Sequence, residues 1–174
     1  MDDPLTRVTI WLALAFFAVA QLCQRKRTGT SRWIAFRVSC VGCSLFLAHV
    51  VLAFQVHYGW SHATALANTA TQTEALVGVR SGSGLYLNYL FGIVWLTELG
   101  WWYRSGPGNR SRTRWIEHGV RGFFLFMIVN GAVVFVEGWS RWLGVAVTAI
   151  LLWAWRPQHH GLSAARHETK GRRL

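Results

Sequence analysis

The sequence predicts an all-α integral membrane protein, a bundle of five transmembrane helices with one short interfacial helix on its outer side. Hydrophobic residues make up 52% of the 174 residues and charged residues only 14%, whereas a soluble domain carries about 25% charged residues. Five apolar stretches approach the roughly 20 residues that a helix needs to cross a bilayer. The Lys and Arg residues concentrate in alternate connections between these stretches.

The predicted spans cover residues 5–23, 33–56, 84–103, 119–138 and 140–155. The last is short for a span. One helix replacing the last two would be about 54 Å long at 1.5 Å per residue, far longer than a hydrocarbon core of about 30 Å is thick. The polar, glycine-containing segment 137–141 lies where a tight hairpin is needed. We therefore predict five spans, with four as the alternative.

The connection between the second and third spans contains a further predicted helix. It begins after Ser61, which is a favourable N-cap residue. Apolar positions then recur at spacings of three and four residues, as on one face of a helix: Ala63, Leu66, Ala70, Thr73 and Val77. We expect this segment, residues 60–79, to lie over the bundle as a lid on the outer surface.

The charge distribution predicts the orientation. Basic residues concentrate in the first and third connections and in the C-terminal segment, chiefly Arg25, Lys26, Arg27, Arg32, Arg104, Arg110, Arg112, Arg114, Arg156, Arg166, Lys170, Arg172 and Arg173. By the positive-inside rule, the protein is predicted to lie in the cell inner membrane with its N-terminus outside and its C-terminus in the cytoplasm. Residues 1–156 are the predicted bundle domain. Residues 157–174 are predicted to be a disordered basic tail attracted to anionic lipid headgroups.

Polar residues within the predicted spans gather toward the outer leaflet. His49 lies inside the second span, and an ionisable residue at that depth usually faces the bundle interior. Asn88 and Asn130 lie at similar depth, with Tyr86 and Glu137 nearer the surface. We predict that these five residues line a ligand pocket that opens outward. The alternative is that they are hydrogen-bonded contacts between helices.

His57 and His62 are a candidate pair of metal ligands at the outer surface. Zinc would need a third protein ligand at about 2.0–2.2 Å, and His49 or Glu137 is better placed to provide it than Glu74. No other cofactor is predicted. A bis-histidine haem in particular is not expected, because no second span offers a histidine at the depth of His49.

Other reactive side chains have structural interpretations. Glu98, in the inner third of the third span, is expected to pair with Arg37 or Arg121. The Cys40 and Cys43 pair has the spacing of a redox motif, but a reactive thiol needs a partly exposed setting that stabilises the thiolate. Because both lie within an apolar span, we predict that they are packing residues.

Four local patterns lie in the third span and in the connection that precedes it: His-Tyr-Gly-Trp-Ser-His-Ala from His57, Thr-Ala-Thr-Gln-Thr from Thr69, Gly-Leu-Tyr-Leu-Asn-Tyr from Gly84, and the pair Trp101-Trp102. In these patterns the chain resembles a group of small, functionally uncharacterised bacterial polytopic membrane proteins. The resemblance covers under half of the chain. It implies a multi-pass membrane protein and brings no activity or cofactor.

Two functions are consistent with the sequence. The first is a non-enzymatic accessory or scaffold subunit, or a small-ligand binder with a polar pocket in the outer leaflet. The alternative is a His-based, metal-dependent enzyme that acts at the outer face. Expected partners are the lipid bilayer, anionic headgroups at the cytoplasmic face and other membrane proteins. Nucleic acid is not expected, because the basic residues lie in short connections between spans.

Overall fold

The structure is a computed structural model that describes residues 4–26, 28–106 and 113–157. Within these ranges the protein is all-helical and contains no strand, which confirms the all-α part of the predicted fold class. The α-helices are α1 (Pro4–Arg25), α2 (Gly29–Ala53), α3 (His62–Val77), α4 (Ser83–Ser105), α5 (Arg114–Val129) and α6 (Ser140–Ala154). Two helices continue into a π-helical turn, α2 through Phe54–Tyr58 and α5 through Asn130–Val134. The predicted tail beyond residue 157 lies outside the described residues.

Three helices in the described part of the chain are long and apolar enough to cross a membrane: Pro4–Arg25, Gly29–Tyr58 and Arg114–Val134. The helix α4 has 23 residues, but its Tyr, Trp and Asn side chains make it less apolar. The helix α6 is apolar but has only 15 residues, which rise about 22 Å against a core of about 30 Å. Three of the five predicted spans therefore correspond to helices that are long and apolar enough to cross a membrane.

We name the two ends of the bundle by their connections. At the basic end, α1, α4 and α6 finish and α2 and α5 begin. The opposite end, where α2 and α5 finish and α3 lies, is called the outer end after its predicted orientation. Contacts between the ends of α1 and α6 show this arrangement directly: at the basic end the Arg25 guanidinium donates to the carbonyl of Trp153, and at the outer end Arg7 donates to the Ser140 hydroxyl at 3.3 Å.

The helices α1 and α2 form the most extensive helix pair in the described structure. At the start of α2, the Thr28 hydroxyl accepts a hydrogen bond of 3.2 Å from the backbone N–H of Ser31, as expected of an N-cap. Further along, Gly42 allows the two backbones to approach. A Cβ atom at Gly42 would lie only 3.2 Å from the carbonyl oxygen of Ala13 in α1. The absence of a side chain at position 42 therefore allows close packing of α2 against α1.

The core centres on Trp95 of α4, whose side chain is only 1% exposed. Its indole N–H donates to the Ser39 hydroxyl of α2 at 3.1 Å, so its polar atom is satisfied. Four rings surround it with centroids between 5.1 and 6.0 Å from its own: Phe17 of α1, Phe46 of α2, Phe91 of α4 and Phe124 of α5. One aromatic cluster thus joins four helices.

The hairpin break predicted between the fourth and fifth apolar stretches is confirmed as a turn between the π-helical end of α5 and α6. Gly138 adopts a φ of +73°, which favours glycine. The Arg141 side chain closes the turn by donating from Nε to the carbonyl of Val136 at 3.0 Å. Beyond the turn, Gly144 lies so close to Ala132 that an added Cβ would overlap the Ala132 carbonyl.

The connecting helix α3 begins where the sequence predicted. The Ser61 hydroxyl accepts from the backbone N–H of Thr64 at 3.2 Å, which confirms the N-cap. The helix packs against α4 and the π-helical turn that follows α2. Ala65 is fully buried there, and a Cβ atom at Gly82 would lie 2.9 Å from the Leu66 carbonyl. In the described structure α3 thus lies along the start of α4, and its predicted role as a lid stays a prediction.

Candidate functional site

His49, the central residue of the predicted pocket, is half-buried on α2. Its Nδ1 lies 2.9 Å from the backbone carbonyl oxygen of Thr6 in α1. Because a carbonyl only accepts, the ring donates through Nδ1, which leaves Nε2 of the neutral imidazole as an acceptor. His49 therefore makes a hydrogen bond between helices, to a partner that the sequence analysis did not include.

Asn88 shares a face of α4 with Gly92 and Trp95, which lie four and seven residues further on and are both buried. Its own side chain is nevertheless exposed. Within the described ranges, no hydrogen bond joins Asn88 or Asn130 to His49. The three polar residues therefore do not form one hydrogen-bonded cluster. Their role as a ligand pocket stays a prediction.

The remaining residues of the predicted pocket occupy different positions. Asn130 is half-buried and is the first residue of the π-helical turn after α5. Glu137 is exposed in the turn before α6. Tyr86 is 55% exposed and contacts the ring of His62 at a centroid distance of 5.8 Å. The structure therefore brings Tyr86 to one of the predicted metal ligands.

The two histidines proposed as metal ligands have different surroundings. His62, at the start of α3, also contacts the ring of Tyr89, at 6.0 Å. His57 lies in the π-helical turn, and its Nε2 is buried without a hydrogen-bond partner in the described structure. No group of three His, Cys, Asp or Glu residues that could hold a metal occurs among the described residues. Zinc at His57 and His62 would need a further protein ligand, and the metal stays a prediction.

A cavity of about 70 Å³ opens at the basic end of the bundle. It extends inward to Ser39 and Trp95 in the core. One water molecule takes up about 30 Å³ in the liquid, so this space corresponds to about two waters. Its walls combine aromatic rings with amide and carboxylate groups, among them Gln21, Gln24, Glu98, Trp102, Glu117 and Trp155. Such a mixture of apolar walls and a few polar groups is typical of small-molecule sites, and the volume is well below the roughly 300–1,000 Å³ of a pocket for a drug-sized ligand.

The polar groups of this cavity hold one another in place. The indole N–H of Trp155 donates to the Gln21 side-chain oxygen at 3.0 Å. Arg121 and Glu117 form an ion pair at 2.5 Å, and the same guanidinium lies over the Trp155 ring at 5.8 Å. Arg121 thus pairs with Glu117, whereas the sequence predicted Glu98 as a partner of Arg37 or Arg121. Glu117 lies four residues before Arg121 on α5, so the two side chains meet on one face of their own helix.

Sequence reasoning missed the contribution of α1 to both ends of the bundle. Gln21 and Gln24 are two amides three residues apart on a largely apolar helix, and that spacing places them on one face. This pair of amides could have indicated from the sequence that α1 contributes to a polar cavity. At the outer end, Thr6 and Ser140 are 6% and 3% exposed, and their burial depends on tertiary contacts. The chain matches no protein-family model, no curated protein and no solved structure.

Proposed function

We propose that this chain is a non-enzymatic, polytopic inner-membrane protein that binds a small ligand in the cavity at its basic end. The observation that carries the proposal is the cavity itself, since it reaches from the mouth of the bundle to the aromatic core. Its Trp and Phe rings offer apolar contact. The amides and carboxylates at its walls offer a few directional polar contacts.

The polar contacts within the cavity support binding over catalysis. The Glu117 carboxylate is held by its ion pair with Arg121, so it is positioned as a fixed polar contact in the cavity wall. Gln21 is fixed by the Trp155 indole, and an amide that is held in one orientation can select the orientation of a ligand. A His-based, metal-dependent enzyme at the outer face would need a third ligand beside His57 and His62.

Filling the cavity with a large side chain is the test of this proposal. We expect a small molecule to be extracted from the detergent-purified wild-type protein and quantified by mass spectrometry. Val120→Trp places an indole in the cavity wall and should reduce the extracted amount at least tenfold. Ile116→Trp is the matched control, because Ile116 lies one turn away on α5, is 50% exposed and is not among the cavity residues.

Two outcomes would contradict the cavity as a binding site. One is equal retention of the small molecule in the Val120→Trp and Ile116→Trp proteins. The other is that the wild-type protein yields no specific small molecule once the signals of lipid and detergent have been subtracted. Elution of both variants as single monodisperse species establishes that the comparison concerns folded protein.

The proposal includes five membrane crossings with the N-terminus outside, supported by the basic residues in alternate connections. Reporter fusions after Lys26, Asn68, Asn109 and Leu174 test it. Alkaline phosphatase, which is active only outside, should be active after Asn68 alone, and a cytoplasmic fluorescent reporter should mature at the other three. An active phosphatase at Leu174 would refute five crossings.

A further inference from the structure

Arg37 is a cation placed inside a helix that has the length and composition of a membrane span. The segment Gly29–Tyr58 is one of the three such helices in the described structure. Arg37 lies eight residues after Gly29, or about 12 Å along the axis. Trp33, about one turn nearer the basic end, is of the residue type that marks the headgroup boundary.

The Arg37 side chain is exposed on the bundle surface. No residue in the described ranges forms an ion pair or a hydrogen bond with it. Glu98, the partner predicted from the sequence, lines the cavity instead. A guanidinium without a counter-charge is costly in hydrocarbon, and its long side chain can reach toward the headgroups. In a bilayer, a counter-charge for Arg37 is therefore expected from the headgroups.

Arg37 borders a shallow, open depression on the surface of α2, which we call the cleft, together with Thr30, Trp33 and Ile34. The spacings of three and four residues place all four on one face of the helix. The Thr30 hydroxyl and the Trp33 indole are hydrogen-bond donors near the boundary, and Arg37 can bind a phosphate through two parallel N–H groups. Ile34 adds an apolar wall that is 47% exposed. The cleft thus pairs phosphate donors with a surface suited to an acyl chain.

We propose that this cleft binds the phosphate of an anionic phospholipid, with the acyl chain lying along Ile34. The assignment of that lipid to the inner leaflet rests on the orientation given under Proposed function. An anionic lipid fits better than a zwitterionic one, because the cleft contains a cation and no acid. Arg25, Lys26 and Arg32 lie at the same end of the bundle, and this positive charge repels a choline group and attracts a net negative headgroup.

The test is native mass spectrometry of the full chain released from bilayers that contain equal amounts of phosphatidylglycerol and phosphatidylcholine. The wild-type protein should retain phosphatidylglycerol in preference. Arg37→Gln should reduce this retention at least fivefold. Arg37→Lys, which keeps the charge and loses the bidentate geometry, should give an intermediate value. The matched control is Arg104→Gln, which removes an exposed arginine at the same end, outside the cleft, and should leave retention within twofold.

Equal losses in Arg37→Gln and Arg104→Gln would overturn the proposal in favour of diffuse electrostatic attraction. Displacement of the lipid by millimolar inorganic phosphate would show a free-phosphate site instead. If Arg37→Gln does not fold, the Arg37→Lys and Trp33→Ala proteins decide the question, since both should retain less phosphatidylglycerol than Arg104→Gln. Lipid retention in the Val120→Trp protein separates the two proposals, because filling the cavity should leave the cleft unchanged.

Discussion

Substitution of Gly144 by alanine is expected to disrupt the α5–α6 hairpin. The added methyl group would overlap the backbone carbonyl of Ala132, and a backbone atom cannot move aside as a flexible side chain can. Overpacking costs about 1–3 kcal/mol and occasionally more, and we expect Gly144→Ala at the upper end of this range. The measurement is thermal unfolding of the detergent-purified protein, with the monodisperse fraction as a second readout.

The matched control for Gly144 is Gly122 in α5, where nothing lies within 4 Å of an added Cβ. Alanine is the better helix former by roughly 0.5–1 kcal/mol, so Gly122→Ala should melt at or slightly above the wild-type temperature. Similar melting temperatures for Gly144→Ala and Gly122→Ala would mean that the close contact between Gly144 and Ala132 does not exist in the folded protein.

Substitution of Trp95 by alanine is the second change with a large expected effect. Trp95 contacts aromatic rings from four helices, and its removal leaves a cavity at their meeting point. Replacing a buried Trp by Ala costs about 3–5 kcal/mol. We expect the lower part of that range, because packing rather than the hydrophobic effect drives association of helices in a bilayer. Thermal unfolding of the purified protein measures the loss.

Two further variants make the Trp95 result interpretable. Trp142→Ala removes an indole that is 73% exposed, and it should change the melting temperature little. Trp95→Phe keeps a ring in the core and loses the hydrogen bond to Ser39, so its stability should lie between those of the wild type and Trp95→Ala. If Trp95→Ala were as stable as Trp142→Ala, the aromatic cluster would not be the core of the bundle.

The two π-helical turns are a shared feature of the outer end. One follows α2 and contains His57, and the other begins at Asn130 after α5. A π-helical turn holds one more residue than an α-helical turn, which changes the face from which later side chains project. Such turns are frequent at functional sites. They make the outer end a second region for mutagenesis, beside the cavity at the basic end, and the outer pocket stays a prediction.

Local sequence was sufficient for the elements themselves. The apolar stretches and the Ser61 N-cap depend on neighbours within a few residues, so the helices and the turn before α6 could be predicted. The polar segment of that turn contains Gly138, which needs a positive φ. The bounds of the helices differ from the predicted bounds by a few residues. For example, α5 with its π-helical turn ends at Val134, four residues before the predicted end of the fourth span.

The tertiary structure alone decided which helices face each other. The helix α2 is apolar on most of its circumference, and a helix of that kind has no single stripe that selects a neighbour. The sequence therefore suggested the third and fourth spans as partners for His49, whereas its ring donates to Thr6 in α1. The cavity at the basic end also depends on contacts between residues that are far apart in the chain. Gln21 and Trp155 are 134 residues apart in the chain, and they meet because the ends of α1 and α6 lie side by side.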